Sequence, residues 1–247
     1  MRRCAVVLGV LVGVLGTAGC ALVPQAPAPA LEPADAAPAE RAVAAADGAA
    51  AQRTAVRASV RVRSIGCDAV ETGSGFALDE HTLVTNAHVV AGAERLQVDT
   101  WDGHQLAVTG SVAATVADLA VVRTREELPT AVPLAGADPG PGEAVTVVGY
   151  PRGEALARAA GSVTGLVDDP LGTSSARSLQ VEAQVAPGSS GSAVVDGSGA
   201  VVGVVYAGAT TGEHAYAVPV SVLREVLDAS DAAPASASAA SATTPAC

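Results

Sequence analysis

A serine bracketed by glycines, a histidine closing one apolar run and an aspartate opening another are the residues of this sequence with chemistry to offer. Ser190 lies in Pro187-Gly188-Ser189-Ser190-Gly191-Ser192. Small neighbours let backbone amide hydrogens turn toward one point, as binding an oxyanion requires; the same stretch also reads as a solvated hairpin turn. His88 lies in Leu83-Val84-Thr85-Asn86-Ala87-His88-Val89-Val90, where a lone histidine is either packed core or a base. Asp118 heads the run Leu119-Ala120-Val121-Val122. Burial there demands a hydrogen-bonded partner, although alone it reads as an ordinary strand-entry acid. Asp99 and Asp102 compete as the acid, but neither heads an apolar strand, and His81, His104 and His214 lack the strand-end setting of His88. Four histidines without a close pair disfavour a metal centre, and no cofactor is expected.

The elements that must hold these residues are strands. Between Thr54 and Val220 short β-branched runs recur, broken by Gly, Pro, Asp and Ser: 55–64, 73–79, 95–101, 105–112 and 119–124, then 144–150, 161–167, 178–185, 192–196, 200–208 and 214–220. Their alternating or fully apolar pattern predicts an all-β body. A helical period first emerges at Val220–Leu227. The break at Pro129–Gly142 divides the strands into two groups of similar size, which predicts two barrels, about 53–130 and about 142–229.

Taken together, in the order His88, Asp118, Ser190 and separated by 30 and 72 residues, the three motifs resemble the trypsin-like serine protease family. The segments TNAHVV, DLAVV and PGSSGS, with Gly149-Tyr150-Pro151 between the last two, are most similar to the bacterial HtrA-type and membrane-tethered actinobacterial periplasmic proteases. The similarity covers roughly residues 55–228, and no PDZ domain is expected after Leu227. The resemblance implies two six-stranded antiparallel barrels of the chymotrypsin type with a short C-terminal helix. It implies a peptide or protein substrate and a serine endopeptidase: Ser190 attacks the carbonyl, His88 accepts and returns the proton, and Asp118 orients the imidazole. The N–H groups of Gly188 and Ser190 form the oxyanion hole. Gln184 and Val185 line one wall of the primary pocket and Tyr206, Ala207 and Gly208 another, with His214 near its base. No acid stands among them, so an uncharged side chain is expected there; His214 leaves open Glu, Asp or a pH-dependent pocket. Ser189 departs from the usual Asn or Asp, Ser192 from Gly and Ala193 from Pro, which touches the oxyanion turn itself. A catalytically silent binding module of the same fold is the competing reading.

The ends have a different composition. Residues 1–19 read as an export signal, with Arg2 and Arg3 before an uncharged Val/Leu/Gly stretch. Gly16-Thr17-Ala18-Gly19-Cys20 resembles a lipobox, which implies lipid attachment at Cys20; a simply cleaved signal or an uncleaved anchor are the alternatives. All three place the body outside the cytoplasm, and an anchored chain sits on the outer face of the cytoplasmic membrane. Residues 20–52 read as an Ala/Pro-rich linker and 230–247 as a low-complexity tail ending in Cys247. With Cys4 in the signal and Cys20 lipidated, Cys67 and Cys247 are left as the intramolecular pair, against free thiols or an intermolecular bond. All 14 cations are Arg, set against 25 acids for a net charge of -11. That balance excludes an electrostatic nucleic-acid footprint.

Overall fold

A computed structural model describes residues 38–67, 69–172, 176–209 and 213–232. The chain divides into residues 1–37, outside the described residues, and a compact unit from Pro38 onward.

Twelve strands form two closed antiparallel barrels. The first holds β1 (Ser59–Ile65), β2 (Val70–Ala77), β3 (Thr82–Thr85), β4 (Arg95–Thr100), β5 (Gln105–Ala114) and β6 (Leu119–Thr124), in the order β1-β2-β3-β6-β5-β4. The second holds β7 (Ala144–Gly149), β8 (Ala157–Val167), β9 (Ser178–Glu182), β10 (Ala193–Val195), β11 (Val201–Gly208) and β12 (Ala215–Pro219), in the order β10-β11-β12-β9-β8-β7. Closure leaves no open sheet edge in either unit. Val supplies most of both cores, with Phe76, Leu83, Leu119 and Leu179 as the largest fully buried side chains in the barrels, each contributing about 1.5–3 kcal/mol by burial. The connection between barrels is itself stitched to the second, Ala135 N–H donating to Val201 O at 2.9 Å and Val201 N–H to Pro133 O at 2.8 Å.

Among the described residues three α-helices complete the unit: α1 (Pro38–Ala58), the single turn α2 (Ala87–Val90) and α3 (Val220–Ala232). The expected terminal helix is α3, which buries Val220 and Leu223 and runs five residues beyond Leu227. Its Arg224 guanidinium donates to the carbonyls of Leu134 and Ala135, while Asp138 accepts from Ser221 N and Oγ.

The helix α1 corrects the linker reading: residues 38–52 are helical and continue without a break into 53–58. Alanine has the highest helix propensity, and Pro38 at the first helical position is well tolerated. Alanine on every face gives no periodic apolar stripe, which is why the composition looks like a tether. The small side chains let the backbone approach closely: a Cβ on Gly199 (φ +81) would come within 2.7 Å of Ala51 Cβ. Ala55 and Ala58 are 1% exposed, and Gln52 donates to Thr146 Oγ1 of β7 at 3.4 Å. The helix therefore lies against β2 of one barrel and β7 and β10 of the other. Ala55→Leu is expected to destabilise the fold by about 1–3 kcal/mol through overpacking, read as a lowered urea midpoint with unchanged slope.

Candidate active site

His88 and Asp118 are positioned by the first barrel. The strand β3 ends at Thr85, and α2 turns His88 outward, its side chain 48% exposed, while its neighbours Ala87 and Val89 are buried. A short 3₁₀ turn at Thr115–Ala117 delivers Asp118 just before β6, in the left-handed region at φ +49, a conformation Asp visits more readily than most residues. Both ends of Asp118 grip the histidine segment. Its carbonyl accepts from Asn86 Nδ2 at 2.9 Å and Ala87 N at 3.2 Å. Its carboxylate accepts from His88 N at 2.9 Å through Oδ1 and lies 2.7 Å from His88 Nδ1 through Oδ2. An anionic Oδ2 accepts a hydrogen, so Nδ1 carries the proton and Nε2 is left as the basic nitrogen.

Ser190 comes from the second barrel, in the loop between β9 and β10. Pro187 and Gly188 (φ +92) form the centre of a tight turn closed by Ser189 N donating to Ala186 O at 2.9 Å, the type II geometry in which glycine takes the third position. The four carbonyls from Pro187 to Ser190 are then engaged. Pro187 O accepts from Arg152 N at 2.5 Å, Ser189 O from Ser192 N at 3.0 Å and Ser190 O from Ser74 N at 2.7 Å; Gly188 O accepts from Ser74 Oγ at 2.8 Å. The amide hydrogens divide differently. Those of Ser189, Gly191 and Ser192 are bonded within the fold, whereas Gly188 N and Ser190 N meet no acceptor among the described residues. In a trans peptide the carbonyl and the N–H point in opposite directions. Fixing Pro187 O on Arg152 and Ser189 O on Ser192 thus turns these two amides to the other side of the loop.

The substituted loop residues have defined places. Ser189 is buried and accepts from Ala186 N through Oγ at 3.3 Å, closing its own turn instead of reaching a distant partner. Ser192 is fully buried with its hydroxyl unpartnered among the described residues, packed against Gly149, where a Cβ would stand 1.8 Å from Ser192 Oγ.

The residue missing from the sequence reading is Ser74, in the Gly73-Ser74-Gly75 step of β2. It donates to Gly188 O, accepts from Tyr150 N at 2.8 Å, bonds Ser190 O through its own N–H, and accepts from Thr85 Oγ1 at 2.7 Å through its carbonyl. Two glycines around a serine were the available signal. A Cβ on Gly73 would meet Val89 at 2.7 Å and Ser190 O at 3.2 Å, so this glycine sits between the histidine turn and the serine loop. Ser190 Oγ and His88 form no hydrogen bond in this state, a looseness common before substrate binds.

The six residues expected around the primary pocket have different surroundings among the described residues. Gln184 and Val185 line a cavity of about 470 Å³ together with Arg152, Arg158, Ser189 and Ser192. Gly208 packs near them, a Cβ there coming within 2.9 Å of Val185. The side chain of Tyr206 turns elsewhere: it is buried beside Asp118 in a void of about 20 Å³, donating to Asp169 Oδ1 at 2.6 Å with Ser178 Oγ at 2.7 Å. Burial, then the bond to Asp169, pushes its phenol above the usual range. Ala207 is partly buried, and half-buried His214 accepts from Ala209 N through its carbonyl at 2.8 Å. Among the described residues Glu80, His81 and Glu127 bring ligand atoms within 4.8 Å of one another, all exposed and none of them His88, Asp118 or Ser190.

Residues 73–204 match the family model of the trypsin-like peptidase domain, just over half of the chain. The sequence is 31% identical over 146 residues to the serine protease Do-like HtrA of Bacillus subtilis, covering 54% of this chain and 32% of that protein. It is 34% identical over 166 residues to the mitochondrial serine protease HTRA2 of Bos taurus, covering 64% and 36%. The chain thus spans about a third of the length of these curated relatives. Among solved structures, the active form of the Rv3671c protease of M. tuberculosis superposes with a TM-score of 0.67 at 24% identity, over 72% of this chain and 82% of that one. The HtrA-type protease AlgW with a tripeptide superposes with 0.66 at 26% identity, over 74% and 62%. With the paired barrels, the His88–Asp118 couple and the glycine-framed serine in place, the chain belongs to the trypsin-like peptidase domain family.

Proposed function

We propose that this protein is an exported, envelope-anchored serine endopeptidase that cleaves peptide bonds through His88, Asp118 and Ser190 and an acyl-enzyme intermediate. The observation that carries the reading is the pattern of bonding in the loop: all four carbonyls from Pro187 to Ser190 are engaged, and the two amides left without an acceptor among the described residues are those of Gly188 and Ser190. Two convergent donors beside a serine are what a tetrahedral oxyanion needs. His88 takes the Ser190 proton on Nε2 as the bond to the carbonyl carbon forms, Asp118 steadies the resulting imidazolium, and the same proton passes to the leaving amine. Water then repeats the sequence on the ester and releases the acid.

The location rests on the first 20 residues. Among the described residues no helix is long and apolar enough to cross a membrane; the uncharged stretch and Cys20 lie outside them, as does Cys247. Cys67 is exposed between β1 and β2, and we pair it with the C-terminal cysteine. Labelling the full chain with a fluorophosphonate probe, oxidised and reduced, tests the site. Labelling that disappears in Ser190→Ala is expected, and its loss on reduction would tie the active state to Cys67–Cys247. No labelling in either redox state moves the protein to the binding-module reading.

A further inference from the structure

One face of this acidic chain carries unneutralised positive charge. Arg53, Arg57 and Arg158, with Trp101, Val56 and Leu156, line a groove of about 410 Å³ between α1, the β4–β5 turn and the start of β8. Trp101 is 41% exposed, and the Arg57 guanidinium lies 5.7 Å from its ring centroid. Arg158 donates to Gln52 Oε1 at 3.1 Å, a neutral partner. None of the three arginines forms an ion pair among the described residues. By contrast Arg61 and Arg63, next along the chain, both reach Asp99, at 3.2 and 3.4 Å. Asp102, beside Trp101, is turned to Thr100 Oγ1 at 2.5 Å and His104 at 3.1 Å. In a sequence with 25 acids for 14 arginines, three arginines around one groove with no carboxylate paired to them among the described residues suit an external anion.

We propose that this groove seats the phosphate headgroups of an anionic lipid bilayer and so orients the domain on the membrane. The inference rests on the anchoring reading above. Guanidinium forks match phosphate oxygens, aliphatic stems cover an apolar floor, and an exposed indole suits the headgroup level. The tether argues for the bilayer over a soluble anion. Arg53 and Arg57 belong to α1, which starts 18 residues after Cys20; a chain of that length reaches at most about 60 Å, so a membrane holding Cys20 is within reach. The chain's net charge is negative and repelled by the same surface, which favours contact through this face.

The sequence has one tryptophan, so its emission reports this groove alone and needs no catalysis. The full chain is mixed with vesicles of phosphatidylcholine, alone or with phosphatidylglycerol, and flotation and Trp101 emission are both read. A blue shift and reduced quenching by acrylamide are expected only with phosphatidylglycerol, and salt should weaken both. The lipid concentration for half the shift should rise on the order of thirtyfold in Arg53→Gln/Arg158→Gln, at about one basic-residue increment each, and stay unchanged in Arg125→Gln. Flotation on either vesicle without any Trp101 shift overturns the orientation and leaves the anchor standing. A shift on phosphatidylglycerol without flotation on phosphatidylcholine keeps the groove and removes the anchor. A shift with poly-glutamate or inorganic phosphate but none with vesicles overturns the proposal in favour of a soluble anion.

Discussion

Ser190→Ala is expected to lower kcat/KM toward an unfolded protein substrate by on the order of a millionfold. His88→Ala is expected to cost nearly as much, and the double variant no more than either alone, because a nucleophile without its base and a base without its nucleophile fail at the same step. Asp118→Asn should cost about ten-thousandfold. The carboxylate that sits 2.7 Å from Nδ1 becomes an amide able to present its NH2 there, which shifts the imidazole proton to Nε2 and removes the base. Steady-state hydrolysis of a fluorescent casein checks the series. Equal residual rates in Asp118→Asn and the parent would remove Asp118 from the mechanism and leave it a structural clasp between β3 and β6.

The second large effect concerns backbone. Gly191 follows Ser190 at φ +86, and a Cβ there would stand 1.9 Å from Ser74 O and 2.6 Å from Thr85 Oγ1. Gly191→Ala is expected to cost about 3 kcal/mol or more, from left-handed strain plus a clash that neither backbone nor a buried threonine can yield to cheaply. Gly103 provides the control. It has nearly the same φ, +87, with nothing within 4 Å of where a Cβ would stand, so Gly103→Ala carries the strain alone, about 1–2 kcal/mol. Urea denaturation separates the two costs, and the fluorophosphonate probe separates their consequences: Gly103→Ala should label like the parent and Gly191→Ala should not. Equal stability losses would mean that the loop relaxes around the added methyl.

Much of this could be read from residue order. The run 119–124 is β6 to the residue because an acid precedes it and the charged stretch Arg125–Glu127 follows it, a boundary that polarity alone marks. His88, Asp118 and Ser190 stand out because each interrupts an apolar or glycine-rich stretch. Helix α1 is hidden for the opposite reason: with alanine on all sides, its buried face at Ala55 and Ala58 looks like its exposed one, and only the contact with the barrels distinguishes them. Ser74 escapes notice because a serine in a strand reads as the polar half of an alternation, whereas its work depends on a loop more than a hundred residues later in sequence. The expected pocket residues differ in surroundings because spacing gives a position on a strand but not the direction of a long side chain. Tyr206 takes its ring toward Asp169 and Ser178, a choice set by partners from another loop.

The fastening at Ser74 has a mechanical consequence. The Ser190 loop is encoded in the second barrel, yet two of its carbonyls, Gly188 O and Ser190 O, are held by one residue of the first, and Tyr150 N of the second barrel is held by the same hydroxyl. Any slide of one barrel past the other must lengthen at least one of these bonds before it strains the strands themselves, because two of them end on a loop. The loop therefore acts as a tension gauge across the seam, and force applied to the surface of either barrel is transmitted first to the peptides that aim Gly188 N–H and Ser190 N–H.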